Sequence, residues 1–284
     1  MTSNPADIQT ITRPLETSVL VGMPQLGLNG LSENWMLKEV GHRHWAAICA
    51  EAGIQSHQIT DSKGQRLYAA FVGIDWSGDP LSGIGENDVL HFRTEITRFS
   101  SKRFYSRNEL RSTSGTQLVV KMVSIFVRKP VFDDNRSLSG GHPDPLRRIE
   151  QRSTPLDATR IQEAWKTTKE THPAPATDGL VHQQNICPTT DFNGARLLYF
   201  ANFQHILDQA EWAVLPKLDM QFASSEGRRL YFYGNVNFED VLEVRFQDVR
   251  WESDARMHRA DIVRAKDGSR LATVETRKRI VNPR

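Results

Sequence analysis

The sequence has little of several features that would assign a protein to a specialised class. Its 284 residues contain only two cysteines, Cys49 and Cys187, which lie far apart and have no histidines at metal-ligand spacing. This excludes a disulfide framework and the familiar zinc motifs, and it indicates reduced thiols in a cytoplasmic protein. Residues 1–8 have no basic region and no apolar run, so no secretory signal is predicted. No stretch approaches the ~18 consecutive apolar residues of a membrane span.

An excess of charge of one sign is also lacking. The 36 Lys and Arg residues nearly balance the 34 Asp and Glu residues, which leaves a net charge of +2. We therefore expect neither a nucleic acid nor a membrane surface as a partner. The hydrophobic fraction of 38% excludes a disordered chain. At roughly 150 residues per domain, the length predicts two domains.

The chain repeats itself in four blocks that follow one another in the same order. The matched blocks are residues 23–30 with 187–194, 64–68 with 227–231, 87–93 with 239–245, and 115–118 with 268–271. Their offsets of 164, 163, 152 and 153 change only where loops could differ in length. The repeat predicts two copies of one structural unit.

Each copy is predicted to contain one long helix followed by four strands, with a further strand before the helix. The first helix covers 31–53, with Ser32 as N-cap and Gly53 as its end, and the second covers 195–215, ended by Pro216. The predicted strands are 66–76, 89–100, 103–112 and 117–128 in the first copy, and 229–238, 241–251, 256–265 and 270–281 in the second. This pattern predicts an α+β fold in which an antiparallel sheet wraps around each helix.

The copies define the domain organisation. We expect a first unit at 15–130, a linker at 131–185 and a second unit at 186–284. The linker contains a loop rich in Asp, Gly, Pro and Ser at 131–148 and a short helix at 156–170. A connection of this length is unusual inside a compact domain, so we expect it to cross the surface.

Paired copies create clefts, which are preferred ligand sites. An Asn-Gly corner, Asn29-Gly30 or Asn193-Gly194, precedes each predicted helix. Glycine lets the backbone come close to a ligand, and the N–H groups of the first helical turn can hold an oxyanion. Alternatively, both corners are turns that only position the helix.

Two segments carry a resemblance to known enzymes. Residues 191–204, DFNGARLLYFANFQ, resemble the strand-to-helix entry of hot-dog acyl thioesterases, and residues 22–45, GMPQLGLNGLSENWMLKEVGHRHW, resemble the double hot-dog acyltransferase/decarboxylase of leinamycin biosynthesis. The resemblance implies a double hot-dog fold and an enzyme without a metal or cofactor other than the CoA of its substrate. Such an enzyme transfers the acyl group of methylmalonyl-CoA to a tyrosine, decarboxylates it and delivers propionyl to an acyl carrier protein.

The tyrosine of that family falls on Tyr68. A phenol is a weak nucleophile near neutral pH unless a cation or a base lies nearby. Arg66 shares its face of the strand but cannot act as a base. His42 and His44 on the first helix are therefore the candidates for orienting or tuning Tyr68, or else they are a surface and a core histidine. Because Tyr231 repeats Tyr68 in the second copy, both tyrosines could instead be architectural.

Five further residues are predicted to bind the substrate. Lys102, Arg103 and Arg107 form the best cationic cluster for the nucleotide end of CoA, or else a solvent-facing strand. Asp191 and Asn193 are assigned to the second cleft. Acyl-CoA and an acyl carrier protein are the expected partners, and the protein is expected to be a monomer or a homodimer.

A thioesterase is the first alternative. Asp191 lies where hot-dog thioesterases often carry an acidic group that activates water, and at the offset of 164 its counterpart is Gly27. The two clefts are therefore expected to differ, and the sequence leaves open which of them is active. A non-catalytic protein that binds thioesters or docks a carrier protein is the second alternative.

Overall fold

The computed structural model describes residues 14–171, 180–216, 221–252 and 254–281. The helices are α1 (Glu33–Ala52), α2 (Leu156–Glu170), α3 (Pro188–Asp191) and α4 (Phe200–Val214). The strands are β1 (Leu15–Leu20), β2 (Leu26–Gly27), β3 (Gly30–Leu31), β4 (Tyr68–Gly78), β5 (Val89–Arg98), β6 (Arg103–Ser112), β7 (Gln117–Arg128), β8 (Ser139–Gly140), β9 (Val181–Asn185), β10 (Ala223–Phe232), β11 (Val241–Glu252), β12 (Ala255–Arg264) and β13 (Arg270–Ile280). None of the helices in these ranges is long and apolar enough to cross a membrane.

Helix α1 begins and ends at the residues that the sequence predicts. The Ser32 hydroxyl accepts a hydrogen bond from the Trp35 N–H at 3.3 Å, which satisfies one of the free donors of the first turn. Gly53 ends the helix in the left-handed conformation, with φ of 62°. Helix α4 ends at Val214, two residues before Pro216. Both predicted helices are therefore present, but α4 begins at Phe200, five residues after the predicted start at 195.

One large antiparallel sheet carries two sets of five strands in the same order. The order is β1-β5-β6-β7-β4 in the first half and β9-β11-β12-β13-β10 in the second, counted from each outer edge towards the middle. The halves join where β4 pairs with β10. Helices α1 and α4 contribute to the main core on one face of the sheet, and α2 packs on the other. We call the β4–β10 junction the seam.

The two strands of the seam correct one block of the sequence repeat. Each contains a β-bulge, at Val72 in β4 and at Glu226 in β10. These bulges occupy equivalent places and lie 154 residues apart, so the offset of 163 used for this block is wrong. Tyr231 corresponds to Ser77, and it is not the counterpart of Tyr68. The extra residue in each bulge hides the true register from a comparison of short strands.

The block before the helices is also misaligned. Gly30 lies three residues before Glu33, the first residue of α1, whereas Gly194 lies six residues before Phe200, the first residue of α4. The helix starts align at an offset of 167, so Asn29-Gly30 and Asn193-Gly194 are not equivalent. The turn that leads into α4 is the longer of the two.

The remaining two blocks are confirmed. Val89 and Val241 each begin a strand, 152 residues apart. Gly115 and Gly268 both have positive φ, at 95° and 69°, in the turns that follow β6 and β12. These turns need a residue that accepts the left-handed region, which is why the glycines recur.

The segment predicted as a linker covers the seam. Helix α2 spans 156–170 as predicted, and Ile161 packs against Val72, Val123 and Tyr231 on the face of the sheet opposite α1. Strand β9 also lies in this segment and pairs with β11 as the outer strand of the second half. The predicted linker therefore supplies, through α2, one wall of the space at the seam.

Candidate functional site

The seam is short, and this leaves a gap at each of its ends. Strands β4 and β10 pair over only five residues each. Gly73–Ser77 lies antiparallel to Gly227–Tyr231, so that Gly73 is opposite Tyr231 and Ser77 is opposite Gly227. Beyond this segment β4 continues to Tyr68 with no β10 partner, and β10 likewise extends to Ala223 with no β4 partner. We call the gap beside Tyr68 the first gap and the one beside Ala223 the second gap.

The first gap holds a cavity of about 550 Å³ that is lined mainly by apolar side chains. It lies between the α2 side and the α1/α4 side of the sheet, because residues of all three helices contribute to its wall. Its polar and aromatic lining includes His42, His44, Tyr68, Phe71, Trp165, Lys169, Asn193, Tyr199, Phe200 and Tyr233. A mostly apolar cavity with a few polar groups is the usual form of a small-molecule site.

Aromatic rings form the wall on the α1 side. Phe200 packs edge-to-face on Phe71 with ring centroids 4.5 Å apart, and Phe71 packs on His44 at 5.1 Å. Phe200 also contacts the Tyr199 ring at 4.8 Å. Edge-to-face packing fixes the orientation of each ring, so this wall is well ordered.

His44 anchors the aromatic wall. It is fully buried, its Nδ1 lies 2.7 Å from the Ser106 hydroxyl and its Nε2 lies 2.7 Å from the Ser124 hydroxyl. Burial lowers the pKa of His44 to about 3, so the ring is neutral at physiological pH. Because both nitrogens already have partners, His44 cannot take a proton from a substrate without breaking this arrangement.

Polar groups with reactive potential lie elsewhere on the cavity wall. Tyr68 and the exposed His42 both line it, and the Arg66 guanidinium lies 5.4 Å from the centre of the Tyr68 ring. Lys169, on α2, brings a cation to the same wall and packs over Trp165 at 4.8 Å. The structure therefore brings Tyr68 and His42 to one cavity, as their assignment requires.

Two further tyrosines line the cavity in their neutral form. Burial and the negative charge of Glu39 raise the pKa of Tyr199. Burial also raises the pKa of Tyr233, whose hydroxyl donates to the Thr168 hydroxyl at 2.6 Å. Both phenols are hydrogen-bond donors at physiological pH and contribute no charge.

A helix N-terminus reaches the cavity, and it belongs to α4. Tyr199 is the N-cap of α4 and makes no capping hydrogen bond with its side chain, and Tyr199 and Phe200 both line the cavity. Asn193 also lines it, and its Oδ1 accepts from the N–H groups of Ala195 at 3.0 Å and Leu197 at 3.2 Å. Asn193 thus shapes the turn that brings the first turn of α4 to the cavity.

Asn29 and Gly30 are not part of this cavity, because they close the second gap. The Asn29 side-chain N–H donates to the carbonyls of Gln221 at 3.0 Å and Ala223 at 2.9 Å. Gly30 has φ of +92°, and a Cβ there would lie 2.2 Å from the Leu81 carbonyl oxygen. Gly30 therefore allows the backbone to come close to the backbone of Leu81, and not to a ligand. The corner acts as a structural turn, which was the alternative reading of the sequence.

Charged side chains lie between α1, α4 and β10 next to the second gap, and a more polar cavity of about 820 Å³ lies at the same end of the seam on the α2 side, lined by Ser77, Glu226 and Arg228 among others. Arg228 pairs with Glu33 at 2.9 Å and with Asp208 at 2.9 Å, and Lys278 contacts both Asp208 at 2.9 Å and Glu211 at 2.5 Å. Burial tends to raise the pKa of Glu211, but Lys278 and His258 hold it well below its usual range. We call these five side chains, Glu33, Asp208, Glu211, Arg228 and Lys278, the charge cluster.

The cationic residues predicted to bind CoA separate in the structure. The Lys102 ammonium lies beside Gly140, 3.2 Å from the position that a Cβ would take there, and Gly140 lines the cavity. Arg103 instead donates to the Gln162 side chain on α2. Arg107 pairs with Glu109 on its own strand at 3.2 Å. Of the three, Lys102 is the one placed at the first gap.

Asp191 acts as a capping residue. Its Oδ2 accepts from the Cys187 N–H at 2.7 Å, at the start of α3, and the carboxyl group is buried. In the first half the Gln25 side chain makes the same contact with the Gly22 N–H at 2.9 Å. The counterpart of Asp191 is therefore Gln25, which replaces the earlier match with Gly27.

Sequence reasoning missed the aromatic residues of the cavity and the contribution of α2. Phe71 and Phe200 read as ordinary core residues, because the pattern does not show where β4 and β10 separate. One signal was available: Gly41 interrupts α1 in its middle, and an isolated glycine in a helix often has a packing reason. Trp165 and Lys169 lie four residues apart on α2, but nothing in the sequence places α2 over the seam.

Comparison with known proteins supports the fold. No protein-family profile matches the chain, and no curated protein is recognisably similar to it in sequence. Solved structures do match. A protein from Lactobacillus plantarum described as an oleoyl thioesterase has a TM-score of 0.72 at 10% identity, covering 96% of this chain and 99% of its own. The 12:0-ACP thioesterase of Umbellularia californica has a TM-score of 0.66 at 11% identity, with 94% of each chain covered.

A third match is an acyl-ACP thioesterase of Bacteroides thetaiotaomicron, with a TM-score of 0.62 at 11% identity, covering 93% of this chain and 97% of its own. At these identities the likeness concerns the fold. This chain has the hot-dog fold, with a large antiparallel sheet and few helices, as the sequence predicts.

Proposed function

We propose that the protein binds acyl thioesters in the first gap and cleaves the thioester bond. We further propose that the two halves of the sheet are two tandem hot-dog units, the first at 15–130 and the second from Val181 onward, five residues before the expected start at 186, because β9 is its outer strand. The observation that carries the proposal is the cavity of about 550 Å³ at the seam, which is apolar enough for an acyl chain and has Tyr68 and His42 on its wall. The neighbours named above act on acyl-ACP or oleoyl thioesters by their descriptions, and this supports the same substrate class here.

Hydrolysis is the reaction that these neighbours favour. Water attacks the thioester carbonyl, its proton passes to a base, and the C–S bond breaks to release a carboxylic acid and a thiol. His42 is the cavity residue suited to accept the proton. The N–H groups of the first turn of α4, from Phe200 onward, are suited to stabilise the oxyanion, whereas the Tyr199 N–H already donates to the Asp191 carbonyl at 2.9 Å. Lys102 and Lys169 are placed to attract the phosphates of CoA or of a carrier-bound pantetheine arm.

Transfer of the acyl group to Tyr68 is the second candidate, and a specific observation favours it. Among the described residues that line the cavity there is no Asp or Glu. A hydrolase would thus lack the carboxylate that commonly activates water, while the Tyr68 phenol is present. In this reaction the Tyr68 oxygen replaces the thiol, and a methylmalonyl group then loses CO2 before propionyl passes to an acyl carrier protein. The mainly apolar wall suits such a decarboxylation.

Incubation with a panel of acyl-CoAs tests the proposal and separates the two reactions. The panel includes acetyl-, propionyl-, methylmalonyl- and longer acyl-CoAs, with free thiol measured together with the intact protein mass. Thiol release without a protein adduct indicates hydrolysis. A propionyl-sized adduct from methylmalonyl-CoA indicates acyl transfer. No thiol release from any member would contradict thioester cleavage and leave a binding or carrier-docking protein.

Tyr68→Phe and Tyr231→Phe form the matched pair for this experiment. Tyr231 lies under α2 and does not line the cavity, so we expect its phenylalanine variant to keep wild-type activity. If Tyr68 is the acyl acceptor, Tyr68→Phe abolishes the adduct and lowers turnover at least 100-fold. If Tyr68→Phe turns over substrate at the wild-type rate, the acyl-tyrosine reaction is wrong and hydrolysis remains.

A further inference from the structure

Gly41 is an unusual residue for the middle of a long helix. Helix α1 runs from Glu33 to Ala52, and a glycine in a helix interior costs about 1 kcal/mol relative to alanine. Gly41 lines the cavity of the first gap and is itself buried. Its φ is not in the left-handed region, so the backbone does not require glycine at this position. The reason for the glycine therefore lies in what packs against it.

The Phe200 ring occupies the space that a side chain at position 41 would need. A Cβ on Gly41 would lie 2.4 Å from Cζ and 2.7 Å from Cε1 of Phe200, well inside van der Waals contact. The absence of this one methyl group lets the ring of Phe200 rest directly against the backbone of α1. We call this contact the glycine notch.

The neighbours of Phe200 determine where the ring would go without the notch. Phe71 stands 4.5 Å away and is backed by His44, which Ser106 and Ser124 hold in place. His44 and the two serines are buried, and Phe71 is partly buried against the core, so this side leaves little room for the ring. A ring expelled from the notch would therefore move into the open cavity and shorten it.

The second gap shows what the same position looks like without a notch. At the helix offset of 167, Glu33 takes the place of Phe200 and Asp208 takes the place of Gly41. Arg228 bridges these two carboxylates, at 2.9 Å from each, so charged side chains occupy the space between the two helices there. At the second gap, both helix positions carry charged side chains, and these occupy the space between the helices. At the first gap, Gly41 has no side chain, so the Phe200 ring lies against α1 and the cavity stays open.

We propose that the glycine notch sets the depth of the acyl-binding cavity, so that Gly41 and Phe200 together determine the length of acyl chain that the protein accepts. This inference rests on the proposed function, because it assigns the cavity to the acyl group. Gly41 and Phe200 act as specificity-determining residues and take no part in bond cleavage through their side chains.

Binding of non-cleavable analogues tests the inference without relying on turnover. Thioether analogues of acyl-CoA with chains of two to twelve carbons are titrated by calorimetry into the wild type, Gly41→Ala, Phe200→Ala and the double variant. Gly85→Ala serves as the control, because a Cβ there meets open space away from the cavity. The unfolding temperature of each variant is measured alongside to show that it is folded.

We expect Gly41→Ala to weaken binding of the longest analogue that the wild type accepts by about 10-fold or more and to leave the two-carbon analogue unchanged. One methylene in an apolar pocket is worth about 10- to 200-fold in discrimination, which sets this scale. Phe200→Ala shifts the preference towards longer chains. The double variant recovers the long chains, because the clash is absent once the ring is removed.

An unchanged chain-length profile in folded Gly41→Ala and Phe200→Ala would overturn the inference. A loss of long-chain binding in Gly41→Ala that the double variant does not recover would also overturn it, since the ring would then not be the cause. A failure of the proposed function gives a different result. In that case the wild type and the variants bind the analogues with the expected chain-length profile, but the wild type releases no thiol from any acyl-CoA. If Gly41→Ala fails to fold, Phe200→Ala alone still tests the inference. A preference for longer analogues than the wild type supports it, and an unchanged or shorter preference contradicts it.

Discussion

At the scale of single residues, surroundings decide what a side chain can do, and His44 illustrates this. The sequence offers His42 and His44 as equal candidates for tuning Tyr68. The structure separates them: His42 is exposed on the cavity wall, while His44 is buried with a serine hydroxyl on each ring nitrogen. No local pattern could predict this, since Ser106 and Ser124 come from strands that are distant in sequence.

His44 should make the stability of the protein dependent on pH. The folded state takes up its proton only near pH 3, whereas the unfolded chain takes it up near pH 6.5. The folded-state pKa is depressed, so this contribution to stability is complete above pH 6.5 and is lost as the pH falls from 6.5 towards 3. The slope is about 1.4 kcal/mol per pH unit in that window.

The measurement is urea unfolding of the wild type and His44→Gln between pH 7.5 and 4. Glutamine cannot titrate but retains a donor and an acceptor for the two serines. We expect a shallower decline of the free energy of unfolding in His44→Gln. Parallel curves for the two proteins over this range would show that His44 is not the group responsible.

Gly30 and Gly194 are equivalent in the sequence repeat but not in the structure. We therefore expect their substitution by alanine to have different effects on stability. Gly30→Ala places a Cβ 2.2 Å from the Leu81 carbonyl at φ of +92°, so we expect a loss of about 1–3 kcal/mol in the free energy of unfolding. Gly194 has open space around it, so Gly194→Ala should change that free energy by less than about 1 kcal/mol. Thermal unfolding of both variants measures this. Equal effects would contradict the structural role of Gly30.

At the scale of elements, the sequence predicts most helices and strands well and their correspondence poorly. The main error is β10, which the sequence predicts at 229–238 and which lies at Ala223–Phe232. The helix at 156–170 and the strands at 103–112 and 117–128 have the predicted bounds. These elements follow from local periodicity and turn residues. The register between halves depends on the bulges at Val72 and Glu226, which interrupt alternation by one residue and leave no composition signal. The alternative that Tyr68 is architectural rested on this error, because it took Tyr231 for the counterpart of Tyr68.

Strand β10 carries two adjacent arginines whose roles the structure separates. Arg228 is buried in the charge cluster, while the side chain of Arg229 is 57% exposed on the opposite face, near Asp75 and Glu275. Arg228→Met leaves Glu33 without its cation inside the protein, so we expect a loss of about 3–5 kcal/mol in the free energy of unfolding. Arg229→Met removes only surface pairs and should cost about 1 kcal/mol or less.

Chemical denaturation of the two methionine variants makes this comparison. A small loss for Arg228→Met, similar to that for Arg229→Met, would mean that the charge cluster does not hold the second gap closed. Because burial raises the pKa of Glu33, we expect the penalty of Arg228→Met to shrink at acidic pH, where the unpaired carboxyl can take up a proton.

At the scale of the whole molecule, the main feature is the difference between two related gaps. The strand order is the same in both halves, so the fold alone would offer two equal sites. Side chains from both halves break this equivalence: Phe71, Phe200 and Gly41 leave the first gap open, while the charge cluster and the Asn29 corner lie at the second. The sequence repeat could predict that the sites differ but not which one is open, because each gap combines residues about 130 to 195 positions apart.

The most direct test of the account is a crystal structure of the protein with a non-cleavable thioether analogue of an acyl-CoA. We predict the acyl chain in the first gap, against Phe71 and Phe200, with the carbonyl oxygen near the first turn of α4 and the carbonyl carbon facing Tyr68 and His42. The second gap should remain closed by Asn29, Gly30 and Leu81. An analogue bound in the second gap, or bound on the surface with the first gap empty, would contradict the assignment of the site.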